Sequence, residues 1–145
     1  MDQATMLKRF GRPFDSGTVL FAEGDLGHEM YVINSGRVEI SRKIQERKTV
    51  LAVLPPGEFF GEMAILNNKP RSATATVIED SQLLVIDSKT FKQMLQSSTE
   101  IALRMIQKLA QRLEMANSQL EILLVRDANH RVVFTLRRMA EIYGQ

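Results

Sequence analysis

The segment Phe60-Gly61-Glu62-Met63-Ala64-Ile65-Leu66, followed closely by Pro70-Arg71-Ser72-Ala73, holds the side chains of this chain best suited to binding chemistry. An Arg presents a planar fork of donors that matches two phosphate oxygens. A Glu accepts from a sugar hydroxyl. A glycine leading into a short helical run exposes backbone N–H groups that also attract a phosphate. Together these are the parts that a cyclic sugar phosphate requires. An isolated Glu62 and Arg71, nine positions apart, would read as a structural salt bridge, and Ser72 alone as a turn hydroxyl. The glycine frame around them favours a ligand.

Such a cluster needs a scaffold. From Thr18 to Asp87 short apolar runs alternate with turn signals. The runs are Val19–Phe21, Met30–Ile33, Val38–Ile40, Thr49–Leu54, Ala73–Val77 and Leu83–Ile86. The signals are Glu23-Gly24-Asp25, Asn34-Ser35-Gly36, Pro55-Pro56-Gly57, Asn67-Asn68-Lys69-Pro70 and Glu79-Asp80-Ser81. Short strands at this spacing, rich in β-branched residues, predict an antiparallel β-barrel or jelly roll. Asn34-Ser35-Gly36 is expected to be a hairpin tip, because Gly36 adopts a positive φ without penalty.

Helical patterns flank the strands. Met6, Leu7 and Phe10 suggest a short helix that Pro13 ends. After Asp87 the apolar period shifts from two to about 3.6. Ser88 to Gln96 reads as a short helix carrying Phe91 and Leu95. A long helix is predicted from Thr99 to Arg126, with Ile106, Leu109, Leu113, Ala116, Leu120 and Leu123 forming a coiled-coil seam. At 1.5 Å per residue it would be about 40 Å long and would overrun a small barrel. Asp127-Ala128-Asn129-His130 is expected to interrupt it, with Asp127 or Asn129 capping a second amphipathic helix over Arg131 to Tyr143. The expected divisions are thus 1–98, 99–126 and 127–145.

Composition removes several classes of function. The 145 residues, 44% hydrophobic and 25% charged, suffice for one core. A net charge of +2, from 19 basic against 17 acidic residues, does not announce nucleic-acid binding. Arg126, Arg131, Arg137 and Arg138 read most simply as a solvated face. With no cysteine, thiol catalysis, disulfides and cysteine-held zinc or iron–sulfur clusters are excluded. His28 and His130 stand apart, with no further ligand at metal spacing, and no Ser–His–Asp/Glu grouping is recognisable. Met105 and Met115 read as core or interface filling. No apolar run reaches the roughly 18 residues of a membrane span, and the first ten residues lack a secretory pattern. The expectation is a cytoplasmic, non-enzymatic protein without metal or cofactor and without membrane contact.

The spacing Phe21-x-x-Gly24-x-x-Gly27-x-x-Met30-Tyr31-x-Ile33-x-x-Gly36-x-Val38 resembles the opening of the cyclic-nucleotide-binding fold. Leu54-x-x-Gly57-x-x-x-Gly61-Glu62 and Arg71-Ser72-Ala73 resemble its phosphate-binding cassette. The helical end is similar to bacterial regulators related to the cyclic AMP receptor protein (the CRP/FNR family). That resemblance implies that Glu62 accepts the ribose 2′-hydroxyl, aided by the backbone around Gly61, Met63 and Ala64. It implies that Arg71 grips the cyclic phosphate, with Ser72 and Ala73 adding hydroxyl and backbone contacts. In such regulators polar residues of the long helix read the purine from both subunits. Here those positions are Ala116 and Asn117, and Asn117 can both donate and accept. The family's usual Thr-Ser pair is missing, which bears on nucleotide preference.

The resulting expectation is a cyclic-nucleotide sensor, for cyclic AMP ahead of cyclic GMP, homodimeric through residues about 106–123. DNA contact would require a domain beyond Gly144-Gln145, so the sequence reads as a sensor fragment or a stand-alone sensor. The alternatives are a regulatory module of an enzyme, channel or transporter, and a ligand-free dimerisation scaffold.

Overall fold

The structure, a computed structural model, describes residues 2–143, with the side chains of 129–138 and 140–143 outside that description. Two compact units emerge, 1–94 and 95–145.

The first unit is one antiparallel, jelly-roll-like sheet that does not close. Its strands are β1 (Gly11–Phe14), β2 (Val19–Phe21), β3 (Glu29–Ile44), β4 (Arg47–Leu54), β5 (Phe59–Phe60) and β6 (Thr74–Asp87). The pairing path runs β1-β6-β3-β4, with β2 also on β6 and β5 also on β3. The spine is the long β3–β6 ladder, from Glu29 opposite Asp87 to Ser41 opposite Thr74. Alternation along these strands turns Ile33, Val38, Ala75, Val77 and Leu83 inward, all but inaccessible, and Tyr31 and Phe60 join the same cluster. Burying one large aliphatic or aromatic side chain there contributes about 1.5–3 kcal/mol.

The expected hairpin at Asn34-Ser35-Gly36 is not one. β3 runs straight through it, and β6 runs through the turn expected at Glu79-Asp80-Ser81. The two segments face each other, and the register shifts repeatedly between Ile33 and Val38. A pair of facing irregularities bends both strands while keeping them paired. Gly36 has a φ of 94° and lies so close to Ser81 that an added Cβ would be 2.7 Å from its Cα. The true hairpin is Gln45-Glu46, joining Ile44 to its partner Arg47. Both residues have positive φ, 53° and 66°. That is the conformation a two-residue primed turn requires, built here without Asn or Gly.

Helix α1 (Gln3–Phe10) starts where Asp2 Oδ1 accepts from the Thr5 amide at 2.8 Å. It ends before Gly11, two residues ahead of Pro13, which lies inside β1. The short helix α2 (Glu62–Leu66) follows Gly61. Helix α3 (Ser88–Ser97) is capped by Asp87, whose carboxylate accepts from the Thr90 amide at 2.7 Å, and it buries Phe91. This bond holds the Asp87 carboxyl below its ordinary range.

The second unit is dominated by α4 (Thr99–Tyr143), capped where Ser98 Oγ accepts from the Ile101 amide at 3.2 Å. It is a single helix of 45 residues, about 67 Å at 1.5 Å per residue. The expected break at Asp127–His130, and with it the separate second helix, is absent. Neither Gly nor Pro occurs there, and Asp, Asn or His inside a helix costs only a fraction of a kcal/mol each. The apolar face expected over 131–143 falls outside the described side chains, apart from an exposed Met139. No helix among the described residues is long and apolar enough to cross a membrane.

Candidate functional site

Arg71 is strapped at its backbone and buried at its side chain. The turn Ala22–Asp25 closes on itself: the Asp25 amide donates to the Ala22 carbonyl, and Asp25 Oδ2 accepts from the Ala22 amide. This turn then bonds Arg71 in both directions. The Gly24 amide donates to the Arg71 carbonyl and the Arg71 amide to the Asp25 carbonyl, each at 2.8 Å. The Glu23 amide donates to Thr74 Oγ1 at 2.9 Å, fixing the same turn to the start of β6.

The Arg71 side chain therefore leaves from a fixed point, and only 5% of the residue is accessible. Nη1 donates to the Gly61 carbonyl at 2.9 Å and Nη2 to the Glu29 carbonyl at 2.7 Å. Nε is buried with no hydrogen-bond partner. A buried donor in that state costs about 1–3 kcal/mol until an acceptor arrives. A guanidinium has five N–H donors, so the two carbonyls leave donor capacity for an anion. Burial pushes the Arg71 pKa down, and Tyr31, Glu29, Asp25 and Glu62 oppose that shift. Burial likewise raises the Tyr31 hydroxyl, helped by the Glu29 carboxylate, which accepts its O–H at 3.2 Å.

The segment from Gly61 meets this cation. Gly61 adopts a φ of 86° at the N-cap of α2, so its carbonyl meets Arg71 while the chain turns into Glu62, Met63 and Ala64. Glu62 is buried, 4% accessible, as is Ala64, whereas Met63 is exposed. The first-turn amides of a helix lack intrahelical acceptors. Beyond Arg71, Ser72 is exposed and Ala73 buried. Seven of the predicted residues, Gly61 to Ala64 and Arg71 to Ala73, thus lie in the sheet unit on the two segments that Arg71 bridges. Asn117 belongs to the other unit, exposed on α4. Among the described residues no group of three or more His, Cys, Asp or Glu is placed to hold a metal ion.

Three contributors to the Arg71 seat carried no chemical signal in the sequence. The Glu29 carbonyl is a backbone group 42 positions away. Phe21 reads as one more strand apolar, yet Arg71 Cζ lies 4.1 Å from its ring centroid. Gly27 reads as frame spacing, yet a methyl there would overlap the guanidinium.

Residues 11–98 match the family model for the cyclic nucleotide-binding domain. The chain belongs to that family. The domain is 33% identical over 129 residues to the cyclic AMP receptor protein of Thermus thermophilus, covering 88% of this chain and 60% of that protein. It is 32% identical over 132 residues to a CRP-like cAMP-activated global transcriptional regulator of Mycobacterium tuberculosis, covering 90% and 59%. The crystal structure of the Thermus thermophilus catabolite activator protein superposes with a TM-score of 0.81 at 32% identity, covering 97% of this chain and 67% of that one. The cyclic nucleotide-binding domain and its helix thus span about 60% of the length of these two sequence relatives.

Proposed function

We propose that this chain is a cyclic-nucleotide sensor, preferring cyclic AMP to cyclic GMP, that works by binding rather than catalysis within a homodimeric, cytoplasmic regulator of transcription. The observation that carries the reading is the buried Arg71 guanidinium, held by the Gly61 and Glu29 carbonyls with its Nε–H unpartnered. In this reading Arg71 takes the cyclic phosphate, assisted by Ser72 and the backbone at Ala73. Glu62 accepts from the ribose hydroxyl, with the backbone of Gly61, Met63 and Ala64 beside it. Asn117 reads the purine edge. DNA contact belongs to a further domain.

Dimerisation is supported by the seam itself: Ile106, Leu113, Leu120 and Leu123 are each more than half exposed in the single chain. Apolar residues at heptad spacing acquire a partner when two helices pair. Ligand binding would alter regulation only to the extent that it favours one arrangement of the paired helices.

A thermal-shift titration tests the binding reading. Ligand at a hundred times its Kd should add about 2.7 kcal/mol of stability. No stabilisation by cyclic AMP or cyclic GMP at millimolar concentration would favour a ligand-free scaffold. Sedimentation at micromolar protein tests the dimer, and a monomer there would remove the seam from the account.

A further inference from the structure

The Arg71 charge has left water and lies against an aromatic face. Its Cζ is 4.1 Å from the Phe21 ring centroid, well inside the range at which a cation is drawn to the negative face of a ring. Phe21 is not an isolated platform. Its ring centroid lies 6.0 Å from that of Tyr31 and 6.1 Å from that of Phe60, and the latter two stack at 5.1 Å with an interplanar angle of 11°. The three rings come from three strands, β2, β3 and β5, so the sheet core fixes the surface on which the guanidinium rests. The two carbonyl bonds hold Nη1 and Nη2, and the ring lies against the guanidinium carbon.

We propose that Phe21 is a positioning residue for Arg71: its ring face keeps the buried guanidinium in one orientation before ligand arrives, and so raises affinity for an anionic ligand. The part concerning affinity rests on the reading that Arg71 grips a phosphate. The part concerning orientation does not. Without the ring, Arg71 must be ordered at the moment of binding. Immobilising one long side chain then weakens binding by about three- to tenfold.

The test uses the full chain with Phe21→Leu, which keeps an apolar side chain without a ring, and Phe21→Tyr, which keeps the ring. Phe21→Met provides a second ring-free variant should the Leu variant fail to fold. In the ligand-free protein, the Arg71 Nε–H resonance is identified as the one lost in Arg71→Lys. It should be shifted upfield by the ring and slow to exchange in the wild type and in Phe21→Tyr. In the ring-free variants the upfield shift disappears with the ring itself, so exchange is the deciding readout, and it should become rapid. Calorimetric titration with cyclic AMP should show a three- to tenfold loss in the ring-free variants and recovery to within about twofold in Phe21→Tyr. Slow exchange of the Arg71 Nε–H retained in a folded ring-free variant overturns the proposal, even where affinity falls, because the guanidinium is then still held and the loss is a packing effect. Rapid exchange with unchanged affinity also overturns it. A wild type that binds no cyclic AMP defeats the functional reading alone, while the resonance comparison still decides whether Phe21 orients Arg71.

Discussion

A methyl group built on Gly27 would overlap Nε and Nη2 of Arg71. Gly27 does not adopt a positive φ, so its glycine is required by the guanidinium beside it and not by its own backbone. Gly27→Ala is therefore expected to fold but to unseat the Arg71 side chain from the Gly61 and Glu29 carbonyls. Each hydrogen bond to a charged group contributes about 1.5–3 kcal/mol, so displacement of the group should weaken cyclic-nucleotide binding at least tenfold. Calorimetry on the variant, with circular dichroism to establish folding, checks this. Wild-type affinity would mean that the site tolerates a moved Arg71.

The bend shared by β3 and β6 gives a prediction about stability alone. Gly36→Ala places a Cβ against Ser81 and forces a non-glycine residue to a φ of 94°. The expected loss is about 3 kcal/mol, combining backbone strain with overpacking. Urea denaturation should show a lowered midpoint with an unchanged slope. Ser81→Gly in the same chain should recover the part due to crowding by the Ser81 side chain, but not the part due to φ or to the Ser81 Cα.

The opposite sign is expected at the β3–β4 turn. Replacing Gln45-Glu46 by Asn-Gly puts residues tolerant of positive φ where the chain already requires it. The gain should be about 1 kcal/mol, read as a raised urea midpoint. No gain would mean that Gln45 or Glu46 makes a compensating contact.

These two turns also show what the sequence could and could not reveal. Asn34-Ser35-Gly36 has the composition of a hairpin tip, and only its pairing across to Glu79-Asp80-Ser81 makes it a bend within a continuous ladder. Gln45-Glu46 has no turn composition, so the real hairpin was invisible to residue type. The grouping of Gly61, Glu62 and Arg71 could be marked in the sequence because they lie within eleven consecutive positions. The seat of Arg71 could not. Phe21, Gly27 and Glu29 reach Arg71 only in the folded chain, and two of them contribute a missing side chain and a backbone carbonyl. The helix break at Asp127–His130 failed for a related reason: cap-forming residues permit a helix end but do not impose one, as Pro would.

Calorimetric titration of cyclic AMP into the wild type and into Arg71→Ala tests the central claim most directly. The wild type should bind saturably, and more tightly than it binds cyclic GMP. The variant, deprived of the charge-assisted bonds to the phosphate, should lose at least about a hundredfold in affinity. Equal affinity in a folded Arg71→Ala protein would contradict the account, since the buried guanidinium would then have no part in holding the ligand.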